Sequence, residues 1–482
     1  MDTKNLDPTD WDEFRRDGHA ALDLIIDHLR TIRERPVWRP APDVIRDGFR
    51  KPLPRGSRGL ADVLAQVDSD IRPYVTGNVH PLFMGWVHGA GTPVGMIAEM
   101  LAAGLNANCG GRNHIAHDVE RQVTRWVAEA LGLPAESSGL FVTGSSMANF
   151  IGLLVARTKV AGRQARARGM QATEKRLVAY ASREAHQCVG QAMELAGLGL
   201  DNLRLIATNS ARQMRADLLA EAIDEDIKAG RAPFLVVGSA GTVNTGSVDP
   251  LDAVADVAHA RGLWFHVDGA IGAGAMLSTQ LRPLMKGIER ADSVALDFHK
   301  WMHVPYDAGF VIVRDTALHL ETFASDAVYL SRAKSGLAAG DVWPCDLGPD
   351  LSRGFRALKT WMTFETLGAD SIGACMEQNC AAARHLARRL EADRLFVLRA
   401  PVALNIVCFS VARERADALN RRIVEDLHMS GEAAPSLTTI DGRVAIRAAI
   451  VNHRTTIDDI DAFVTALNRR AVRQRRPSSA PA

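Results

Sequence analysis

The sequence has no uninterrupted apolar run of the ~18 or more residues needed to span a bilayer, so no segment reads as a transmembrane helix. It has almost no net charge. Fifty-seven Lys and Arg against 56 Asp and Glu leave a formal +1, which provides no global field for nucleic acid or an anionic membrane. Cysteine is scarce: Cys109, Cys188, Cys345, Cys375, Cys380 and Cys408 in 482 residues, with no Cys-x-x-Cys pair. That excludes a disulfide framework and a structural zinc site and points to a reducing, cytoplasmic compartment. The opening residues, Met1 to Glu13, carry five acids and lack the basic-then-apolar order of a signal peptide. What is present is an ordinary globular composition, 47% apolar and 23% charged, in a chain about three times the ~150-residue domain prior.

Patterning divides the chain. Residues 1–85 read as a polar helical arm. Asp10-Trp11-Asp12 can cap a helix with Phe14, Ala21, Leu22, Ile25, Ile26 and Leu29 at helical spacing, followed by a Pro-rich stretch, Arg35 to Pro54, that cannot be regular helix. Such an arm has little core and is expected to wrap a partner subunit. Residues 86–350 alternate short apolar runs with helical segments such as Pro250–Arg261. The runs are Leu140–Thr143, Leu177–Ala181, Phe234–Gly238, Leu263–Val267, Ser293–Leu296 and Phe310–Val313. Strands buried on both faces and joined by helices give an α/β fold with a doubly wound, mainly parallel sheet. Residues 351–470 read as a small α+β domain, with helices over Gly354–Leu367 and Met376–Leu390 and strands near Leu404–Phe409 and Val444–Ala448. Arg469–Arg476 holds five arginines in eight residues, and 471–482 reads as a basic tail fraying into disorder; a nucleic-acid arm has no other support in the chain.

Ligands of parallel sheets gather beyond the carboxyl ends of the strands, so the residues after each apolar run are the ones to read. After Leu140–Thr143 comes Gly144-Ser145-Ser146-Met147-Ala148-Asn149, leading into a helix. Small residues there admit a phosphate to backbone N–H groups and a helix N-terminus, although alone they also make a plain turn and cap. His186 follows Leu177–Ala181; a lone histidine is commonly structural. Ser239-Ala240-Gly241-Thr242-Val243-Asn244 follows Phe234–Gly238, and Asp268-Gly269-Ala270 follows Leu263–Val267. Ser293–Leu296 runs into Asp297-Phe298-His299-Lys300-Trp301. A lysine there is expected to be desolvated, its pKa lowered and its amine made a usable Schiff-base nucleophile. The ordered set is more specific than its parts. A phosphate turn, a histidine, an aspartate and then a lysine 32 residues later meet the needs of pyridoxal 5'-phosphate: an imine-forming amine, a carboxylate for the ring nitrogen and a phosphate cradle.

On those residues the chain resembles the group II pyridoxal-dependent decarboxylases, which include aromatic-L-amino-acid, histidine and glutamate decarboxylases. The most specific stretches are Phe265-His266-Val267-Asp268-Gly269-Ala270 and His299-Lys300-Trp301; His80-Pro81-Leu82-Phe83, Glu120 with Trp126, and Gly354-Phe355-Arg356-Ala357-Leu358-Lys359 fit as well. The resemblance implies the fold-type-I architecture of pyridoxal-phosphate enzymes and a homodimer with active sites at the subunit boundary. It implies that Lys300 carries the Schiff base, Asp268 pairs with the pyridinium, and His186 stacks on the ring and helps place the substrate carboxylate. Ala270 is implied on the opposite face, Ser145, Ser146 and His299 at the phosphate, and Thr242 near the carboxylate to be lost. Asp297 stands where animal enzymes usually have Asn and is expected near the phosphate.

The resemblance also implies decarboxylation of an L-amino acid to its amine and carbon dioxide. Two departures bear on that. The family's proton-donating tyrosine sits on a loop matching Ser331–Pro349, where Gly340-Asp341-Val342-Trp343-Pro344-Cys345-Asp346 contains none; Tyr329 matches a different tyrosine ahead of that loop. Members without this tyrosine react with oxygen to give aldehyde, ammonia and peroxide, so an aldehyde synthase is the alternative. The pocket differs too. Trp86-Val87-His88 replaces Tyr-Phe-Pro, and Asn106, Asn108 and Arg112 lie in the segment matching a second wall. Trp86, His88, Asn106 and Asn108 are therefore the expected substrate contacts, or the asparagines serve loop backbone groups. Trp86 can flank an aromatic side chain, whereas Asn106, Asn108 and Arg112 would suit a polar or acidic one; an aromatic amino acid is the expected substrate. A transaminase would need a carboxylate-clamping arginine, for which Arg447 is the C-terminal candidate, and a non-catalytic cofactor-binding protein is disfavoured by competent chemistry at every ring-contacting position.

Overall fold

The computed structural model describes residues 5–325 and 332–473; Tyr329, Ser331 and most of the basic tail, residues 474–482, lie outside them. Among the described residues, twelve strands form two sheets. In chain order they are β1 (Phe83–Met84), β2 (Ser138–Val142), β3 (Leu177–Ser182), β4 (Leu203–Ile206), β5 (Ala232–Ser239) and β6 (Trp264–Asp268), followed by β7 (Ser293–Asp297), β8 (Gly309–Val313), β9 (Phe396–Leu398), β10 (Ile406–Val411), β11 (Ala434–Ile440) and β12 (Arg443–Ala449).

The larger sheet has the order β2-β8-β7-β6-β5-β3-β4. Its strands from β7 to β4 pair in parallel, and only β8 runs against its neighbours. All six apolar runs read from the sequence are strands of this sheet, because each is short, apolar and buried on both faces. The run it adds is β4, a four-residue edge strand whose Leu205 is more than half exposed; with one face open it lacks the apolar continuity that marks the others. Register sets Ser239 beside Asp268 and Asp268 beside Ala295, so the carboxyl ends of β5, β6 and β7 share one edge. The fold is the α/β, mainly parallel fold type I expected, with a helical N-terminus.

The smaller sheet, β1-β11-β12-β10-β9, is built from the C-terminal part of the chain with one exception. Phe83–Met84, at the end of the segment read as an arm, adds to it by pairing in parallel with β11. Two residues carry no periodicity, so only the tertiary contact reveals this strand. The helix Trp11–Arg30 is capped by Asp10, whose carboxylate accepts the N–H of Asp12 and of Glu13, both at 2.9 Å. None of its residues is buried. The Pro-rich stretch is irregular apart from a six-residue helix, Asp43–Gly48, which starts directly after Pro42, where a helix tolerates proline.

A buried tie locks the sheet to the helix Ser145–Ala161. His266 on β6 meets Asn149 Oδ1 at 2.9 Å through Nε2 and Ser293 Oγ at 2.7 Å through Nδ1, while Trp264 Nε1 donates to the same Ser293 Oγ at 2.8 Å. Complete burial pushes the His266 imidazole down to about 3, so it stays neutral, with one nitrogen donating and the other accepting. This histidine of the specific motif is therefore a structural rivet that fixes the helix N-terminus over the edge where β5, β6 and β7 end.

Candidate active site

Asp297 ends β7 and Lys300 follows one turn later. Lys300 Nζ lies 2.8 Å from Asp297 Oδ2 and donates to Ser145 Oγ at 3.4 Å. Asp297, 1% exposed at its side chain, also accepts the Ser145 N–H at 2.7 Å and the Ser145 hydroxyl at 2.6 Å. These bonds cross between β7 and the first turn of the helix Ser145–Ala161, two segments that only the sheet order brings together. Close backbone approach is essential here: a Cβ on Gly309 would fall 2.3 Å from Gly144 Cα. His299 Nδ1 accepts the Ala308 N–H at 2.9 Å, leaving Nε2 to carry its proton toward Asp297 Oδ1, 3.6 Å away.

The charge state of Lys300 corrects the expectation from sequence. Burial does push its ammonium pKa down, but the Asp297 carboxylate, by charge and hydrogen bond, outweighs that and holds it above the ordinary range. Burial alone would raise Asp297; Lys300 and His299 hold it below the ordinary carboxylate range. The ion pair with Asp297, rather than desolvation, thus governs the amine.

Lys300 opens onto a cavity of about 280 Å³, which Asp268, His186, Thr242, Ala270, Trp86 and His88 also line. Asp268 Oδ1 accepts the Ala270 N–H at 3.2 Å, and Oδ2 has no partner among the described residues. His186 Nδ1 accepts the Cys188 N–H at 3.2 Å, and its pKa is lowered by burial against the opposing pull of Asp268. The Thr242 hydroxyl is tied to Ser247 Oγ at 2.8 Å and Thr245 Oγ1 at 3.1 Å. Ser239 lines the cavity, and its buried Oγ has no hydrogen-bond partner among the described residues.

Five expected residues are not part of that lining in their own chain: Asp297 and His299, both buried, and Ser146, Asn106 and Asn108. Ser146 is exposed at the second position of its helix. Asn106 is the left-handed C-cap, φ 45°, of the helix Pro93–Leu105. Asn108 Oδ1 accepts the N–H of Gly110 at 3.0 Å and of Arg353 at 3.1 Å, the loop-backbone role left open beside the substrate role. Residues that sequence reasoning passed over include Tyr306, whose ring centroid lies 4.4 Å from that of His299 and whose Oη accepts the Gly89 N–H at 3.3 Å. Its place six residues after Lys300 was the available signal. Arg447 lines the cavity but is not free to clamp a carboxylate with its full fork. It donates to the carbonyls of Trp86 at 2.8 Å, Asn244 at 3.1 Å and Val243, and to Ser436 Oγ at 3.1 Å.

Residues 42–412 match the family model of the pyridoxal-dependent decarboxylase conserved domain. The chain belongs to that family. It is 31% identical over 460 residues to an aromatic-L-amino-acid decarboxylase of Bacillus atrophaeus and 29% identical over 470 residues to a phenylacetaldehyde synthase of Arabidopsis thaliana; each match covers 93% of both chains. In three dimensions it resembles the Oryza sativa TDC solved with PLP and tryptamine, with TM-score 0.90 and 26% identity over 98% of this chain and 100% of that one. The protein is a pyridoxal-phosphate-dependent carboxy-lyase.

The residues of this decarboxylase suit the cofactor. An amine, a carboxylate with an uncommitted oxygen and an unpartnered buried hydroxyl face one cavity next to a helix N-terminus. One detail differs from expectation: both donors of Ser145 are engaged by Asp297, so that aspartate sets how the first turn of the helix meets any phosphate.

Proposed function

We propose that the enzyme decarboxylates an L-amino acid with an aromatic side chain, releasing the amine and carbon dioxide. The observation that carries this reading is the convergence of Lys300, Asp268 and His186 on one cavity whose wall includes the exposed Trp86 indole. In this reading Lys300 would hold the cofactor covalently, Asp268 would pair with its ring nitrogen, and His186 and Ala270 would pack against its ring. Ser145, Ser146, His299 and Asp297 surround its phosphate end. When bound, pyridoxal phosphate supplies the electron sink that makes the bond from Cα to the carboxylate breakable.

The protein's share is orientation and exclusion of water. Thr242 and His186 hold the departing carboxylate on one side, and Trp86 with His88 flanks the substrate side chain. Asn106 and Asn108 reach a substrate only across a subunit boundary, which the proposed homodimer provides. Supporting that dimer, the helix Trp11–Arg30 has no fully buried residue and leaves Trp11, Phe14 and Ile26 exposed, as are Met100 and Leu105 on the helix Pro93–Leu105. The units 1–85, 86–350 and 351–470 are proposed as arm, cofactor domain and small domain. Six free thiols accord with a cytoplasmic site, and among the described residues no helix is long and apolar enough to cross a membrane.

A second reading has its own support: Gly340–Asp346 lacks tyrosine, so the product would be an aldehyde with ammonia and peroxide. Mass spectrometry of products formed in air from the standard L-amino acids and DOPA separates the two. Amine matched by carbon dioxide is the expected result; aldehyde with peroxide overturns it.

A further inference from the structure

Decarboxylation leaves a carbon that must gain a proton, and on the function proposed above the donor has to face the cavity. Most groups there are already engaged. Lys300 and Ser145 are bound to Asp297, the Thr242 hydroxyl belongs to a hydroxyl network, and His186 gives one ring nitrogen to Cys188. His88 is different. It lines the cavity, and no hydrogen bond engages either ring nitrogen among the described residues. Its ring is stacked, centroid to centroid, 5.7 Å from Phe83 at 14° and 5.6 Å from Trp86 at 20°.

The backbone is shaped to put it there. Trp86 has φ 49°, a left-handed conformation that a bulky aromatic residue adopts only where its surroundings over-determine it. The Arg447 guanidinium supplies that restraint, donating to the Trp86 carbonyl at 2.8 Å. On the other side, Gly89 packs so tightly that a Cβ would fall 2.5 Å from the Lys300 carbonyl oxygen. His88 is thus fixed between a strained, pinned residue and a backbone contact with the Schiff-base lysine.

We propose that His88 is the acid that protonates the carbon from which carbon dioxide has left. The carbon–carboxylate bond breaks with its electron pair remaining on carbon, that pair forms the new C–H bond, and the imidazolium becomes imidazole. Water at the mouth of the cavity restores the proton, which the half-buried ring can reach. The groups facing His88 are Lys300 and, edge-on at 6.4 Å, Tyr306, and Asp268 lines the same cavity. Burial and then Lys300 hold its pKa below the ordinary histidine range, which makes the imidazolium a stronger acid.

The test uses holoenzyme, wild type and His88→Asn, matched for bound cofactor by absorbance and for fold by melting temperature. Amine formation is expected to fall about 100-fold, the low end for loss of a general acid. The decline in wild-type amine formation as pH rises through the His88 midpoint, below 6.5, is expected to vanish in the variant. Added imidazole is expected to restore amine formation in His88→Ala, a rescue that a packing role would not give. NMR of histidine-labelled holoenzyme, assigned with His88→Asn, should place the ring's own midpoint where the rate profile does. Unchanged amine rate and pH profile in His88→Asn, or a ring midpoint apart from the kinetic one, overturns the assignment alone. Failure of the wild type to release carbon dioxide from any amino acid removes the underlying function as well.

Discussion

Asp297 and Lys300 form a buried ion pair, 2.8 Å from carboxylate oxygen to amine, within one turn of chain. The same carboxylate grips the first residue of the helix Ser145–Ala161, so one side chain sets both the charge of the reactive amine and the position of a helix N-terminus.

Asp297→Asn should therefore shift cofactor attachment toward lower pH. The variant removes the charge that raises the Lys300 ammonium, leaving burial to lower it, so free amine is present in more acidic solution. A downward displacement of about 1 unit or more is expected in the midpoint for imine formation, followed by absorbance as pyridoxal phosphate is added to apoenzyme. An unmoved midpoint would show that the ion pair does not control the amine.

Asp268→Ala should weaken cofactor binding while sparing the fold. Among the described residues Asp268 accepts one hydrogen bond, from the Ala270 N–H, and it lines the cavity. Loss of a buried charge partner of about 2 kcal/mol is roughly 30-fold in affinity. Equilibrium titration with pyridoxal phosphate and a melting curve of the apoenzyme would check both halves.

Arg353→Ala should destabilise the protein by about 3–5 kcal/mol, the cost of leaving a buried partner charge unpaired. Arg353 is 1% exposed at its side chain and meets both oxygens of Glu120, at 2.7 and 3.2 Å, while also donating to the carbonyls of Cys109 and Phe141. Arg353→Ala combined with Glu120→Leu should recover part of the loss, read from denaturant midpoints. A double variant no more stable than the single would contradict the charge-pair account.

Stability should fall as pH drops below 6.5. Burial pushes His266 and His303 down to about 3 and His319 down to about 4. In the unfolded chain these imidazoles take up protons near 6.5, whereas in the folded protein they stay neutral until far lower pH. Their contribution is thus fully present above 6.5 and is lost progressively toward 3–4, at about 1.4 kcal/mol per group per pH unit. Melting temperatures from pH 7.5 to 5 would reveal the slope; a flat profile would mean that these rings gain protons in the folded state.

Much of this protein was legible in the chain. Apolar runs ending in Asp268 and Asp297 announced strands and reactive carboxyl ends because a strand buried on both faces needs continuous apolar residues, a purely local property. Lys300, Asp268 and His186 followed from what lies beyond those ends. β1 and β4 were not legible: one is two residues long and the other a half-exposed edge, so neither imposes a pattern.

The sequence by itself determined the sheet, the order of the chemical groups along its edge and the family to which they belong. Tertiary structure alone decided which groups are engaged. Ser145 and Asp297 are 152 residues apart, and their bond is what directs the first turn of the helix and, through Asp297, leaves Lys300 charged. Local pattern sets burial, but the sign of a pKa shift depends on which charge the fold places beside the buried group. The Asn108 side-chain oxygen was likewise engaged by the backbone N–H groups of Gly110 and Arg353, and His88 was left unengaged at the cavity by the strained turn that Arg447 pins from the far end of the chain.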